Sequence, residues 1–290
     1  MRTEAEMYDL ILNIAKQDER IRAVYMNGSR TNVNVPKDIF QDYDVVYVVT
    51  ETKSFIEDKT WIDLFGERLF MQYPDENSDY PSDKENFYGW LMQFADGNRI
   101  DLHVESISHA KENILADKLC KILLDKDQLL PEIPEATDED YFVKRPSQEQ
   151  YLCACNEFWW CLDNVAKGLW REEIPYVQDM LHFCVRKQLE KMLSWKVGVD
   201  TDFSVSVGKS GKYLYRWLPE KDWQDYLATY AAGTVCDCFR AVEKMCNLME
   251  TAAVYVGEKL GYTYNEEEGK NCRSFIEHVK QLPKDAAEIY

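Results

Sequence analysis

Asp42 and Asp44 stand two positions apart at the head of an apolar run that continues through Val45, Val46, Tyr47, Val48 and Val49. Side chains alternate faces along a strand, so the two carboxylates project together while Tyr43 points away. Carboxylates held side by side repel unless a cation stands between them, and an all-oxygen donor set favours Mg²⁺. Upstream, Asn27-Gly28-Ser29-Arg30 closes a first apolar run from Ile21 to Met26. Folded as a strand-to-helix turn, this segment offers a phosphate backbone N–H groups and the Ser29 hydroxyl. Arg30 either joins that phosphate site or pairs with Asp38 or Asp42 and only shapes the loop. A further carboxylate, Asp101, shares one strand face with His103 and Glu105, while Ile100, Leu102 and Val104 share the other. On a strand beside Asp42 and Asp44 it would complete a metal site, but no sequence rule makes those strands neighbours. His103 either orients a carboxylate or accepts a proton, or it is a hydrogen-bonded structural histidine. An anion cradle together with metal-binding carboxylates points to nucleotide chemistry.

The elements that must position these groups follow from periodicity. Met7, Leu10, Ile11, Ile14 and Ala15 recur at helical spacing, so residues 4–17 are expected to form an amphipathic helix leading into the first strand. Residues 50–59 read as a polar loop, 61–65 as a short helix ended by Gly66, and 67–73 as a strand stopped by Pro74. Residues 74–85, acidic and carrying Pro74 and Pro81, read as a surface connection or lid. Asp96-Gly97 between the apolar runs 87–94 and 99–105 is a hairpin signal. Residues 108–124 read as helical with Ser108 as cap. The acid- and proline-rich stretch 125–148 reads as an inter-domain linker. Beyond it the pattern is helical over 151–169, 174–195, 223–257 and 272–281.

The chain has 290 residues with 34 basic and 52 acidic side chains, a net charge of -18. That field argues against phosphate-backbone binding, so no nucleic-acid partner is expected; it either merely keeps the protein soluble or also suits a cationic small molecule. The nine cysteines lack zinc-finger or C-x-x-C spacing and read as reduced thiols. The charged N-terminal residues do not read as a signal peptide, and no apolar run reaches the ~18 residues of a membrane span, so a cytoplasmic protein with no membrane partner is expected.

The Gly28-Ser29, Asp42-x-Asp44 and Asp101 set resembles the polymerase-beta-like nucleotidyltransferase motif. In the second half, Glu157-Phe158-Trp159-Trp160, Ala166-Lys167-Gly168-Leu169-Trp170-Arg171, Val185-Arg186 through Met192-Leu193, and the stretch from Phe203 to Leu214 resemble the aminoglycoside 6-adenylyltransferases, the streptomycin-modifying family. The likeness runs to the closing Leu282-Pro283 and Glu288-Ile289-Tyr290. It implies an α+β protein with a nucleotidyltransferase domain of mixed β-sheet and flanking helices over residues 1–145. A helical bundle that binds substrate over residues 146–290 would follow.

The implied reaction is Mg²⁺-dependent transfer of AMP from ATP to a streptomycin hydroxyl, releasing pyrophosphate and conferring antibiotic resistance. Asp42 and Asp44 would hold the metal and Gly28 and Ser29 the phosphates, with Asp101 either general base or further metal ligand. The resemblance also implies cations for the triphosphate from the helical half, for which Arg186, Lys209 and Lys212 are the choices. The last two sit in a glycine-flanked loop without P-loop spacing. A guanidinium-bearing acceptor calls for carboxylates and aromatic faces, available as Glu157, Trp160, Trp170, Glu173 and Asp179, with Asp179 the first choice for a guanidinium. Trp159 and Trp160 point about 100° apart on a helix, so at least one belongs to the core. Two other readings keep the fold: a different small-molecule or protein hydroxyl as acceptor, or a non-catalytic nucleotide-binding regulator.

Overall fold

The structure, a computed structural model, describes residues 1–290 and divides into two compact units, Met1–Asp140 and Tyr141–Tyr290. The first begins with helix α1 (Glu4–Gln17), opened by a capping box in which the Thr3 hydroxyl accepts from Glu6 N–H and the Glu6 carboxylate accepts from Thr3 N–H. Strands β1 (Ile21–Asn27), β2 (Tyr43–Val49), β3 (Arg68–Gln72), β4 (Phe87–Phe94), β5 (Arg99–Ser106) and β6 (Cys120–Asp125) form one six-stranded sheet in the order β3-β4-β5-β2-β1-β6. Every neighbouring pair is antiparallel except β2 and β5, which are parallel. The sheet is therefore mixed, with its only parallel pairing at the centre.

Alternation along β2 and β5 gives the sheet two unlike faces. On one, Tyr43, Val45, Tyr47 and Val49 join Ile100, Leu102 and Val104 in the main core, closed by Met7, Ile11 and Ala15 of α1 and by Trp61 and Phe65. A one-turn helix α2 (Lys53–Glu57) contributes Phe55 to the same core, where the sequence pattern suggested only loop. On the other face, Ala23, Tyr25, Val46 and Val48 make a smaller core with Ala110 and Ile114, supplied by helix α3 (Ile107–Asn113) and its C-terminal flank. Asp44 and Asp101 belong to this second face by register.

Residues 108–124 are not one helix. Ser106, not Ser108, caps α3 by accepting from His109 N–H, and the chain then extends into β6 against β1. The short apolar run Ile122-Leu123-Leu124 fits either period, and the edge of β1 supplied the hydrogen bonds that decided for strand. Residues 74–85 are fastened to the sheet: Asp75 accepts from Gly89 N–H at 2.8 Å, and Glu76 accepts from the Tyr88 hydroxyl at 3.0 Å and Lys84 at 2.6 Å. The proline-rich stretch after β6 is likewise committed at its start, because Leu130 and Ile133 pack into the smaller core.

The second unit is a helical bundle of α4 (Gln148–Arg171), α5 (Ile174–Asp179), α6 (Arg186–Asp200), α7 (Glu220–Leu227), α8 (Val235–Leu260) and α9 (Glu266–Gln281). Ser147 and Gln150 form the capping box of α4, whose Tyr151, Cys155, Phe158, Leu162, Val165 and Leu169 recur at helical spacing and are buried. Between α5 and α6 the backbone widens into π-helical turns over Met180–Val185, so residues 174–200 run on as one rod. The stripe Leu181, Val185, Leu189, Met192 and Leu193 is buried, with Met180 and Cys184 packed beside it. The expected helix over 223–257 is broken in two. Arg186 takes the Thr229 carbonyl at 2.6 Å, and Thr234 opens α8 afresh by accepting from Asp237 N–H.

Because Leu102 is wholly buried on the central strand while Leu69 is 64% exposed on the edge strand β3, truncations there should differ sharply. Leu102→Ala is expected to cost about 2–5 kcal/mol and Leu69→Ala within about 0.5 kcal/mol, measured by urea unfolding. Equal costs would contradict the strand order.

Candidate active site

In the parallel pairing, Asp44 stands opposite Asp101, and in the antiparallel pairing with β1 it stands opposite Asn27. Asp42 precedes β2 by one residue and shares the alternation of Asp44. The register thus brings Asp42, Asp44 and Asp101 together, with one carboxylate oxygen of each within 4.8 Å of the others. Three acceptor-only groups at that separation can share one hard cation. Burial first, then the charges of Asp42 and Asp101, push the Asp44 carboxyl up to about 7.

Gly28 follows directly on β1, at φ +76°, a region that L side chains rarely adopt. A Cβ there would lie 2.1 Å from Asp44 Oδ2, so the glycine makes room for the carboxylate. Its N–H is already donated to the Leu119 carbonyl at 3.2 Å, which corrects the expectation of a Gly28 amide offered to phosphate. The following 3₁₀ turn, Ser29–Thr31, is closed by the Thr31 hydroxyl, which donates to the Gly28 carbonyl at 2.8 Å.

Arg30 resolves into the loop-shaping alternative, through backbone and not the carboxylates first considered. Its guanidinium donates to the carbonyls of Asp42 at 2.9 Å and Gln41 at 2.7 Å and lies 3.6 Å over the Tyr43 ring. It thereby holds the chain leading into β2. His103 is stacked on Phe87 at 4.6 Å and packs against Gly89, where a Cβ would meet its ring at 2.4 Å. Burial lowers its pKa, which keeps the ring neutral at pH 7. Glu105, fully buried on the same face, accepts from the Tyr25 hydroxyl and from Asn113 at 3.0 Å, with His109 Nδ1 2.5 Å away.

Arg99 belongs to no motif of the sequence. Its Nε and Nη2 donate to the two Asp101 oxygens at 2.7 Å each, and Nε lies 3.8 Å from Asp42 Oδ2. The signal was present, since Arg99 precedes Asp101 by two residues on one strand and so shares its face.

In the helical unit the predicted groups separate by burial. Arg186 is 5% exposed, donating to the Thr229 hydroxyl at 3.2 Å and to its carbonyl, with the Tyr230 ring 4.1 Å away. Those contacts occupy the guanidinium that the sequence reading assigned to a triphosphate. Lys209 and Lys212 are exposed, on a turn in which Gly208, Ser210 and Gly211 all have positive φ. Trp159 is core, its indole N–H donated to the Tyr264 hydroxyl, whereas Trp160 is 67% exposed. Glu157, Glu173 and Asp179 are all exposed. Glu157 lines a pocket of about 420 Å³ with Gln150, Cys153, Gln188, Lys191 and Trp195. Asp179 and Trp160 do not line it.

A family model described as streptomycin adenylyltransferase matches residues 1–279. The aminoglycoside 6-adenylyltransferase of Campylobacter jejuni is 39% identical over 264 residues, covering 91% of this chain and 91% of that protein. Its namesake in Bacillus subtilis (strain 168) is 37% identical over 265 residues, covering 91% and 93%. The crystal structure of an aminoglycoside 6-adenyltransferase from Bacillus subtilis aligns with 97% of this chain and 100% of that one, at 32% identity and a TM-score of 0.48.

The raised Asp44 pKa has a sign. The folded state holds a proton that the unfolded chain releases near pH 4, so this contribution to stability is complete below about pH 4 and is lost as pH rises through about 7. In EDTA, Asp44→Asn is expected to melt roughly 5 °C above the parent at pH 8, with the gap closing toward pH 4. A calorimetric gap independent of pH would show that another group is responsible.

Proposed function

The chain belongs to the streptomycin adenylyltransferase family and is a nucleotidyltransferase, and we propose that it transfers AMP from ATP to a hydroxyl of an aminoglycoside, streptomycin foremost. The observation that carries this reading is the in-register triad of Asp42, Asp44 and Asp101 beside the Gly28-Ser29 turn. Transfer forms a bond between the acceptor oxygen and the α-phosphorus, breaks the bond to the bridging oxygen, and releases pyrophosphate. The acceptor loses a proton and the leaving group gains negative charge, so the site must supply a proton acceptor and a positive field.

The oxygen-only donor set and its spacing fit Mg²⁺, which would be held by Asp42 and Asp44 with Asp101 as third ligand and would supply charge neutralisation for the phosphates. Ser29 contributes a hydroxyl and an N–H to a phosphate oxygen. Gly28 keeps the turn within reach of Asp44 by having no side chain. Arg30 holds the carbonyls of Gln41 and Asp42, so the carboxylate of Asp42 is presented from a fixed backbone. Asp101 either accepts the hydroxyl proton or completes the cation site, and in either role Arg99, which donates to both of its oxygens, must release one of them.

Lys209 and Lys212 are the cations of the helical unit offered to the triphosphate, since Arg186 is committed to Thr229. For the acceptor, the exposed face of Trp160 and the carboxylates of Glu157, Glu173 and Asp179 match a polycationic, polyhydroxylated ligand. The net charge of -18 favours approach of such a cation.

Pyrophosphate release from ATP is expected to require both Mg²⁺ and an aminoglycoside, with streptomycin the best acceptor in a panel. Asp42→Asn should lower kcat by about a hundredfold or more with an unchanged circular dichroism spectrum. Full activity in that variant would remove Asp42 from the mechanism, and release with non-aminoglycoside acceptors alone would remove the assigned acceptor. Lys209→Ala combined with Lys212→Ala is expected to raise KM for ATP several-fold without lowering Tm. An unchanged KM would exclude both lysines from nucleotide binding.

A further inference from the structure

Arg99 is the only cation in ion-pair contact with the triad. It grips Asp101 by both oxygens at 2.7 Å and lies 3.8 Å from Asp42 Oδ2, while Asp44 has no ion-pair partner. A guanidinium in this bidentate arrangement occupies both Asp101 oxygens with two parallel N–H donors. The same oxygens would serve a divalent ion, so the two cations are alternatives at Asp101. Arg99 is nonetheless poised to leave, since its side chain is 45% exposed, against 31% for Asp42 and 14% for Asp101. Its neighbours on β5 also allow this, because Ile100 points into the core on the opposite face and contributes nothing to the grip.

We propose that Arg99 is a built-in counter-cation that competes with the divalent ion for Asp101 and Asp42. Loading of the ion is thereby coupled to arrival of the nucleotide. The inference rests on the reading of the triad as the cation site and deepens it. Alone, an incoming ion must displace a charge-assisted pair and leave the guanidinium without a partner. Arriving with a triphosphate, the ion brings the anion that takes the guanidinium over, so the lost ion pair is replaced. Two unit positive charges about 4 Å apart near a protein surface repel by about fivefold to almost a thousandfold in binding constant, and a divalent ion is repelled more strongly, so the guanidinium weakens binding of the free ion. Arg99 acts through Asp101 and Asp42, as a positioning residue.

The test uses the full chain and Mn²⁺, titrated by electron paramagnetic resonance with and without a non-hydrolysable ATP analogue. Without nucleotide, Arg99→Gln is expected to bind Mn²⁺ about tenfold or more tightly than the parent, with Arg99→Lys between them because a lysine keeps the charge and loses the fork. The analogue should tighten Mn²⁺ binding to the parent by a larger factor than to Arg99→Gln, since the coupling disappears with the guanidinium. Equal or weaker Mn²⁺ binding by Arg99→Gln, in protein with parental Tm, overturns the proposal. Should Arg99→Gln not fold, parental affinity and coupling in Arg99→Lys overturn it equally. If Mn²⁺ binds parent and variant alike and Asp42→Asn weakens it, the triad remains a cation site and only the role of Arg99 falls. If Mn²⁺ binds no form even with the analogue, both readings fall.

Discussion

The parallel pairing of β2 with β5 sets Asp44 against Asp101 and gathers three carboxylates within 4.8 Å. Like charges at that distance are unfavourable, and the surroundings are arranged to tolerate them. The opposite face of the same two strands buries Tyr43, Val45, Tyr47 and Ile100, Leu102, Val104. A slip of one residue would send the carboxylates into that core and the aliphatic groups to solvent, so hydrophobic burial enforces the register that repulsion opposes. Gly28 yields the volume that Asp44 needs, Arg99 neutralises Asp101, and Arg30 pins the entry to β2 by backbone carbonyls.

Depth along β5 separates three polar residues of one face into different jobs. Asp101, toward the start of the strand, is held by the half-exposed Arg99. His103, next along, is stacked on Phe87 and kept neutral by burial. Glu105, wholly buried, is satisfied by Tyr25, Asn113 and His109 and ties β5 to β1 and α3. The same alternation that delivers a functional carboxylate therefore also delivers a structural one, and only the surroundings distinguish them.

A similar division runs through the helical unit. Arg186 opens α6 directly after the widened turns and donates to the Thr229 carbonyl in the break before α8. Lys209 and Lys212 stay exposed on a turn whose Gly211 is buried beside Leu214. Trp159 and Trp160, adjacent in sequence, diverge by the helical angle into core and solvent.

Much of this was readable from local pattern. The amphipathic α1, the Asp96-Gly97 hairpin, the alternation of β2 and β5, and the helical second half follow from periodicity and turn chemistry, because those signals are set within a few residues. So does the sharing of a face by Asp42 and Asp44. What periodicity does not carry is partnership across the chain. The apolar run at β6 became a strand because β1 had an edge to pair, and the helix over 223–257 broke where Arg186 claimed the Thr229 carbonyl. Gly28 lost its amide to Leu119, and Arg99 found Asp101 and Asp42 together. Each of these outcomes depends on which distant group arrives at hydrogen-bonding distance, a quantity fixed by packing and invisible to composition or spacing. The chain's residues specified which chemistry was available; folding selected which of the cations and carboxylates were left free to perform it.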